Sequence, residues 1–153
     1  MKSDASLNNF IEQFREIQPK FSRLFTRMLA QADLTQPQFT VLLELNQSGK
    51  PMTMTAISRK LYITKPAVTS LVDRLEKKGL LKRMDHPHDR RISLLQIRWA
   101  GKKTVGKMQG RILDLMKEAA KQFNEEDRNT IQEFYSVLSG SLDEVLQPKT
   151  ERS

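Results

Sequence analysis

"ITKPAVTSLVDRLEKKGLLKR", residues 63–83, is the stretch on which the fold turns. Thr64 stands just before a helix-compatible run and can accept from its unpaired first-turn amides, and Pro66 lies where a missing amide hydrogen costs little. Val68, Leu71, Val72 and Leu75 recur at helical spacing, so a helix over 64–78 has one apolar face. The opposite face carries Lys65, Pro66, Thr69, Ser70, Asp73, Arg74 and Lys77, and Gly79 ends the helix. Ala67, Thr69 and Ser70 are small and let the helix backbone come close to whatever it lies against. A plain amphipathic helix with a solvated polar face has the same pattern, so the neighbouring segments decide.

On the N-terminal side, Thr53 can cap a short helix with Ala56, Ile57 and Leu61 facing inward. Two short helices with a tight connection, the second basic and small-residued at its start, match a helix-turn-helix. On the C-terminal side, "LLKRMD" (80–85) and "RISLLQI" (91–97) predict two strands with Pro87 in the turn between them. A helix-turn-helix followed by a β-hairpin is the layout of a winged helix. The hairpin carries Lys82, Arg83, Arg90 and Arg91, which suit a nucleic-acid backbone or a minor groove.

The charge distribution agrees. Residues 53–103 hold 13 basic and 4 acidic side chains, against 6 and 5 in residues 1–52 and 7 and 9 in residues 104–153. A basic excess confined to one third of the chain favours a polyanionic partner, nucleic acid ahead of an anionic membrane. With no cysteine there is neither a disulfide framework nor a thiol switch. No apolar run reaches membrane-spanning length and "MKSDASLNNF" lacks a signal-peptide layout, so a cytoplasmic location is expected.

The flanks are helical. Leu7, Phe10, Phe14, Ile17, Phe21, Leu24 and Met28 form a seven-residue apolar repeat with a kink or break expected at Pro19. Thr35 is the expected cap of a second helix that admits Pro37 and closes at Gly49. Val105, Met108, Ile112, Leu115 and Ala119 continue the pattern, and Asn124 opens a last helix bearing Ile131, Phe134, Leu138, Leu142 and Val145. These helices carry more apolar stripe than the small middle segment can cover, which points to a homodimer. The expected fold is mainly α with a small β-hairpin wing: residues 35–103 form the winged helix-turn-helix, and residues 1–34 and 104–153 the dimerisation helices.

The run from about 52 to 101 resembles the DNA-binding half of the MarR family of bacterial transcription regulators. The match is carried by the stretch quoted above and by Asp89-x-Arg91 followed by Leu95, Ile97 and Gly101. Arg98 departs from it, standing where the family has a threonine able to cap the next helix. Trp99 beside it, the only tryptophan, is expected to pack in the core or at the junction rather than touch a ligand.

If Asp89 and Arg91 lie two apart on a strand they share a face, and Asp89 can orient the Arg91 guanidinium by charge-assisted hydrogen bonds. The resemblance implies that Arg91 enters a minor groove, with Arg90 on a phosphate. The expected DNA-contacting set is Thr53, Thr64, Lys65, Pro66, Ala67, Thr69, Ser70, Arg74, Arg90 and Arg91, with Asp89 in support. Double-stranded DNA and a second copy of the chain are the expected partners, in a homodimeric regulator on a pseudo-palindromic operator. The family further implies repression relieved by a small aromatic or phenolic effector, whose binding residues the sequence does not mark.

Two other readings compete. One is an architectural DNA-binding protein indifferent to sequence and needing no ligand. The other is a metal-responsive regulator using His86 and His88 with Asp85 and Asp89. Pro87, an exposed hairpin tip and the adjacent Arg90 and Arg91 oppose a metal site, so none is expected, nor any cofactor. No glycine-rich phosphate loop, activated nucleophile or apolar acid pair suggests an enzyme.

Overall fold

The computed structural model describes residues 2–147; residue 1 and residues 148–153, the ends of the predicted dimerisation segments, lie outside the described residues. The described chain runs α1 (Lys2–Gln31), α2 (Gln36–Ser48), β1 (Met52–Thr53), α3 (Met54–Leu61), α4 (Lys65–Lys77), β2 (Leu81–Asp85), β3 (Ser93–Ile97), α5 (Trp99–Ala120) and α6 (Glu125–Leu146). It divides into two compact units, one reaching Phe39 and the other starting at Thr40, so the boundary falls inside α2.

In the first unit α1 passes unbroken through Pro19. The break expected there does not occur. Proline removes one ladder bond, and a helix of 30 residues keeps its ladder on both sides of the gap. After α1 the chain turns at Asp33, with φ of 52°. Thr35 and Gln38 then form a reciprocal capping box: the Gln38 amide donates to Thr35 Oγ1 at 3.4 Å and the Thr35 amide to Gln38 Oε1 at 3.0 Å. The Phe25 ring meets Phe39 edge-on, centroids 5.4 Å apart.

The second unit is built around a three-stranded antiparallel sheet of order β1-β3-β2. Leu81 pairs with Ile97 and Arg83 with Leu95, while β1 adds the pair Met52–Leu95. The core holds Val41, Leu42, Leu45, Ile57, Val68, Val72, Leu75, Leu81, Leu95 and Val105, all essentially without solvent exposure. The helix-turn-helix is present: α3 packs on α4, and both contact the sheet.

Gly101 explains how α5 leaves β3. A Cβ built on Gly101 would stand 2.2 Å from the Leu80 carbonyl oxygen and 2.8 Å from Ile97 Cγ1. Only a glycine lets the first turn of α5 press so closely on the start of β2. Arg98, which replaces the expected threonine, occupies the N-cap position of α5 and makes no side-chain cap bond. Its own amide is anchored to the Leu80 carbonyl at 2.9 Å.

Trp99 corrects an expectation. It is 74% exposed at the first position of α5, neither in the core nor packed at a junction, and the Lys103 ammonium sits 5.0 Å from its ring centroid. Helix α6 has no buried residue in the isolated chain, and Phe134, Leu138, Leu142 and Val145 are all exposed. On α1, Leu7, Phe10, Phe14, Ile17 and Phe21 are exposed as well.

Candidate nucleic-acid interface

Helix α4 is positioned by local chemistry at both ends. Thr64 accepts from the Ala67 amide at 3.4 Å, with Pro66 in the first turn, and Gly79 leaves the helix at φ of 72°. The α3–α4 connection needs a left-handed residue, and Tyr62 supplies it at φ 54°. Ser58 ties that turn shut: its hydroxyl donates to the Ile63 carbonyl at 2.6 Å, and the Ile63 amide donates back to the Ser58 carbonyl at 3.2 Å. Val68, Val72 and Leu75 are fully buried and Leu71 partly so. Lys65, Pro66, Ala67, Thr69, Ser70, Arg74 and Lys77 are exposed, so one face of α4 presents the predicted groups together.

The hydroxyls are partly engaged. Thr53 Oγ1 accepts from the Ala56 amide at 3.0 Å, and Thr64 Oγ1 is the cap of α4. A capping oxygen leaves its hydrogen free, so both can still donate to a phosphate. Thr69 donates to the Lys65 carbonyl at 3.1 Å, which leaves its oxygen free to accept. Thr53 lies in β1 and is partly buried, apart from the α4 face.

Two acids on α4 would repel phosphate if left alone, and one cation of the wing engages both and offsets one of their two charges. Arg83 of β2 donates to Asp73 Oδ1 at 2.5 Å and to Glu76 Oε2, and its amide donates to Glu76 Oε1 at 2.9 Å. Burial acts to lower the Arg83 pKa; hydrogen bonds and charge from Asp73 and Glu76 overcome it and hold the guanidinium above its ordinary value. Arg83, which the sequence grouped with the free cations of the hairpin, is therefore an internal clamp between β2 and α4. Nothing in its sequence neighbourhood marks this, because its partners lie ten and seven positions upstream.

At the wing tip the geometry differs from the strand reading. Strand β2 stops at Asp85 and β3 starts only at Ser93, so Asp89, Arg90 and Arg91 lie in a turn, not on one face of a strand. Asp89 Oδ1 accepts from the Arg91 backbone amide at 2.9 Å, and the Ile92 amide donates to the Asp89 carbonyl at 3.0 Å. Among the described residues Asp89 and Arg91 form no side-chain ion pair. Asp89 shapes the backbone, as in an Asx-turn, and leaves the Arg91 guanidinium unpaired. Arg90 and Arg91 are both exposed.

The histidines belong to the same turn. The His88 amide donates to His86 Nδ1 at 3.3 Å and the His86 amide to the Ile92 carbonyl at 3.2 Å. Among the described residues, no three of His, Cys, Asp and Glu gather where they could hold a metal. No described helix is long and apolar enough to cross a membrane.

The description "MarR family" attaches to the family model that matches residues 34–93. The chain is 30% identical over 157 residues to the uncharacterized HTH-type transcriptional regulator YhbI of Bacillus subtilis, covering 99% of this chain and 97% of that one. It is 31% identical over 101 residues to the multiple antibiotic resistance protein MarR of Salmonella typhimurium, covering 63% of this chain and 69% of that one. Among solved structures it resembles the S. aureus MepR–DNA complex at TM-score 0.66 and 25% identity, covering 84% of this chain and 96% of that one.

Proposed function

The chain belongs to the MarR family, whose described relatives are transcription regulators and not enzymes, and from that premise we propose that it is a homodimeric, sequence-specific reader of double-stranded DNA. Helix α4 of each copy lies in a major groove, and the turn bearing Arg91 reaches the flanking minor groove. In the major groove, Thr69 and Ser70 meet base edges, while Thr64, Lys65 and Arg74 meet phosphates or guanine; Arg90, on the wing turn, meets a phosphate. Pro66 and Ala67 allow close approach, and Thr53 donates to a phosphate at the edge of the site.

One observation carries this reading. Lys65, Arg74, Arg90 and Arg91 are exposed and without ion pairs among the described residues, whereas the two acids of α4, Asp73 and Glu76, are clamped by Arg83 and Asp89 is turned to the Arg91 backbone amide. Such a surface is cationic toward an outside partner. The complex of MepR with DNA, on the same fold, supports DNA as that partner.

The dimer rests on α1 and α6. A helix of 22 residues with no buried side chain and a row of exposed Phe, Leu and Val loses its apolar cost when a second copy covers it. Two symmetric copies then read two half-sites about 34 Å apart. A dimer seated on a promoter obstructs transcription, so repression is the mode proposed, in the cytoplasm where the DNA is. Release follows when a small effector, an aromatic or phenolic one in the family pattern, binds better to a dimer with another spacing between its reading heads.

The test compares a duplex enriched by selection with a scrambled duplex of the same length and salt. Specific reading predicts a discrimination of at least about a thousandfold. A ratio near one instead supports the architectural alternative. Replacing both His86 and His88 by Ala leaves DNA binding unchanged on this account; loss of a metal response in that variant would reinstate the metal-sensing alternative.

A further inference from the structure

Beside the wing, on surface that the DNA-reading set does not use, Lys82, Gln96, Ile97, Arg98, Trp99 and Lys102 line a cleft of about 360 Å³. Lys82 and Gln96 are cross-strand partners, so they project together from one face of the hairpin. A smaller cavity of about 80 Å³ adjoins it, sharing Gln96, Ile97 and Lys102 and adding Asn46 and Lys50. Among the described residues no carboxylate lines either space.

Three features converge here. The larger cleft has three cations and no acid to balance them, an arrangement whose mutual repulsion an anion relieves. Helix α5 begins at its rim with no side-chain cap and no acid in its first turn, so its first-turn amides keep their partial positive charge. Trp99 stands open at the same rim, a residue 74% exposed and already attended by the Lys103 ammonium. An exposed tryptophan among cations suits a flat ring attached to an anionic group. Three cations call for more than one negative charge, which favours a phosphate monoester over a single carboxylate. The volume stands near the lower end of small-ligand sites, roughly 300–1,000 Å³, and has room for one nucleotide-sized molecule.

We propose that this cleft binds a phosphorylated small molecule carrying a flat ring, of the nucleoside monophosphate class. The phosphate lies against Lys82, Arg98 and Lys102, and the ring stacks on Trp99. Gln96 is placed to bond polar atoms between the two. The proposal is independent of the DNA-reading surface, and its failure would leave that reading untouched.

Because Trp99 is the only tryptophan, its fluorescence reports this cleft directly. The full chain is titrated with adenosine 5′-monophosphate, adenosine, inorganic phosphate and a short DNA duplex. The expected result is saturable quenching by the nucleotide, tighter than by adenosine or phosphate alone. The double variant Arg98→Ala with Lys102→Ala, both exposed positions, should weaken it by at least about tenfold with unchanged circular dichroism. Absence of saturable quenching, or an unshifted curve in the double variant, overturns the proposal. Inorganic phosphate binding as tightly as the nucleotide overturns the role of the ring. Equal quenching by the duplex, lost in the same variant, assigns the cleft to nucleic-acid phosphate and overturns the small-molecule assignment.

Discussion

Arg83 and Glu76 are joined twice: the guanidinium donates to Glu76 Oε2, while the Arg83 backbone amide donates to Glu76 Oε1 at 2.9 Å. Asp73 takes the other arm of the guanidinium at 2.5 Å. One residue of β2 thus fixes the hairpin to α4 and engages both acids of that helix, offsetting one of their two charges.

Arg83→Ala should therefore affect DNA binding more than folding. The pairs are partly exposed, so the stability lost is at most about 1 kcal/mol, measurable as a small drop in Tm at fixed protomer concentration. Affinity for DNA falls further, by at least about tenfold, because two uncompensated carboxylates then face phosphate. Equal binding by Arg83→Ala and wild type would show that the clamp does not matter to the interface.

At the wing tip, Asp89→Asn and Asp89→Ala should part company. Asparagine keeps a side-chain oxygen to accept from the Arg91 amide, so the turn and DNA affinity survive. Alanine loses that acceptor and should weaken binding severalfold. Were the carboxylate charge the brace, both variants would fail alike.

Gly101→Ala should be among the most damaging single changes. Its Cβ has 2.2 Å to the Leu80 carbonyl oxygen, a backbone atom that cannot step aside. A loss of about 3 kcal/mol is expected in urea unfolding, of the order seen for overpacked cores. Gly106→Ala, where a Cβ meets nothing within 4 Å, is the control and should be neutral or slightly stabilising.

Much of this was legible from residues because the chemistry is local. Thr35, Thr53, Thr64 and Asn124 cap the helices they precede, and each accepts from an amide three residues on. The buried stripe of α4 follows from spacing alone. What escaped depends on partners distant in sequence. Strand β1 is two residues long and exists only by pairing with Leu94 and Leu95. The Arg83 clamp spans seven and ten positions. Placing Asp89 and Arg91 on a strand failed because the turn takes up residues 86–92, which alternation of residue types does not reveal. Trp99, read as a core or junction residue, stands exposed at the start of α5, two positions after β3 ends at Ile97.

Leu142→Glu on α6 tests the assembly. Leu142 is 51% exposed in the single chain, so the change should cost the protomer little. Placed in a dimer interface it buries an unpaired charge, and sedimentation should show a shift toward monomer with loss of DNA affinity. An unchanged dimer would remove α6 from the interface.

The central claim is that α4 and the Arg91 turn of two symmetric copies read DNA sequence. Selection of bound duplexes from a random pool tests it most directly. The account predicts an inverted repeat with half-site centres one helical turn apart, about 10 base pairs, and loss of that enrichment with Arg91→Ala or Ser70→Ala. A pool that emerges unenriched, or an enriched site without two-fold symmetry, would contradict it.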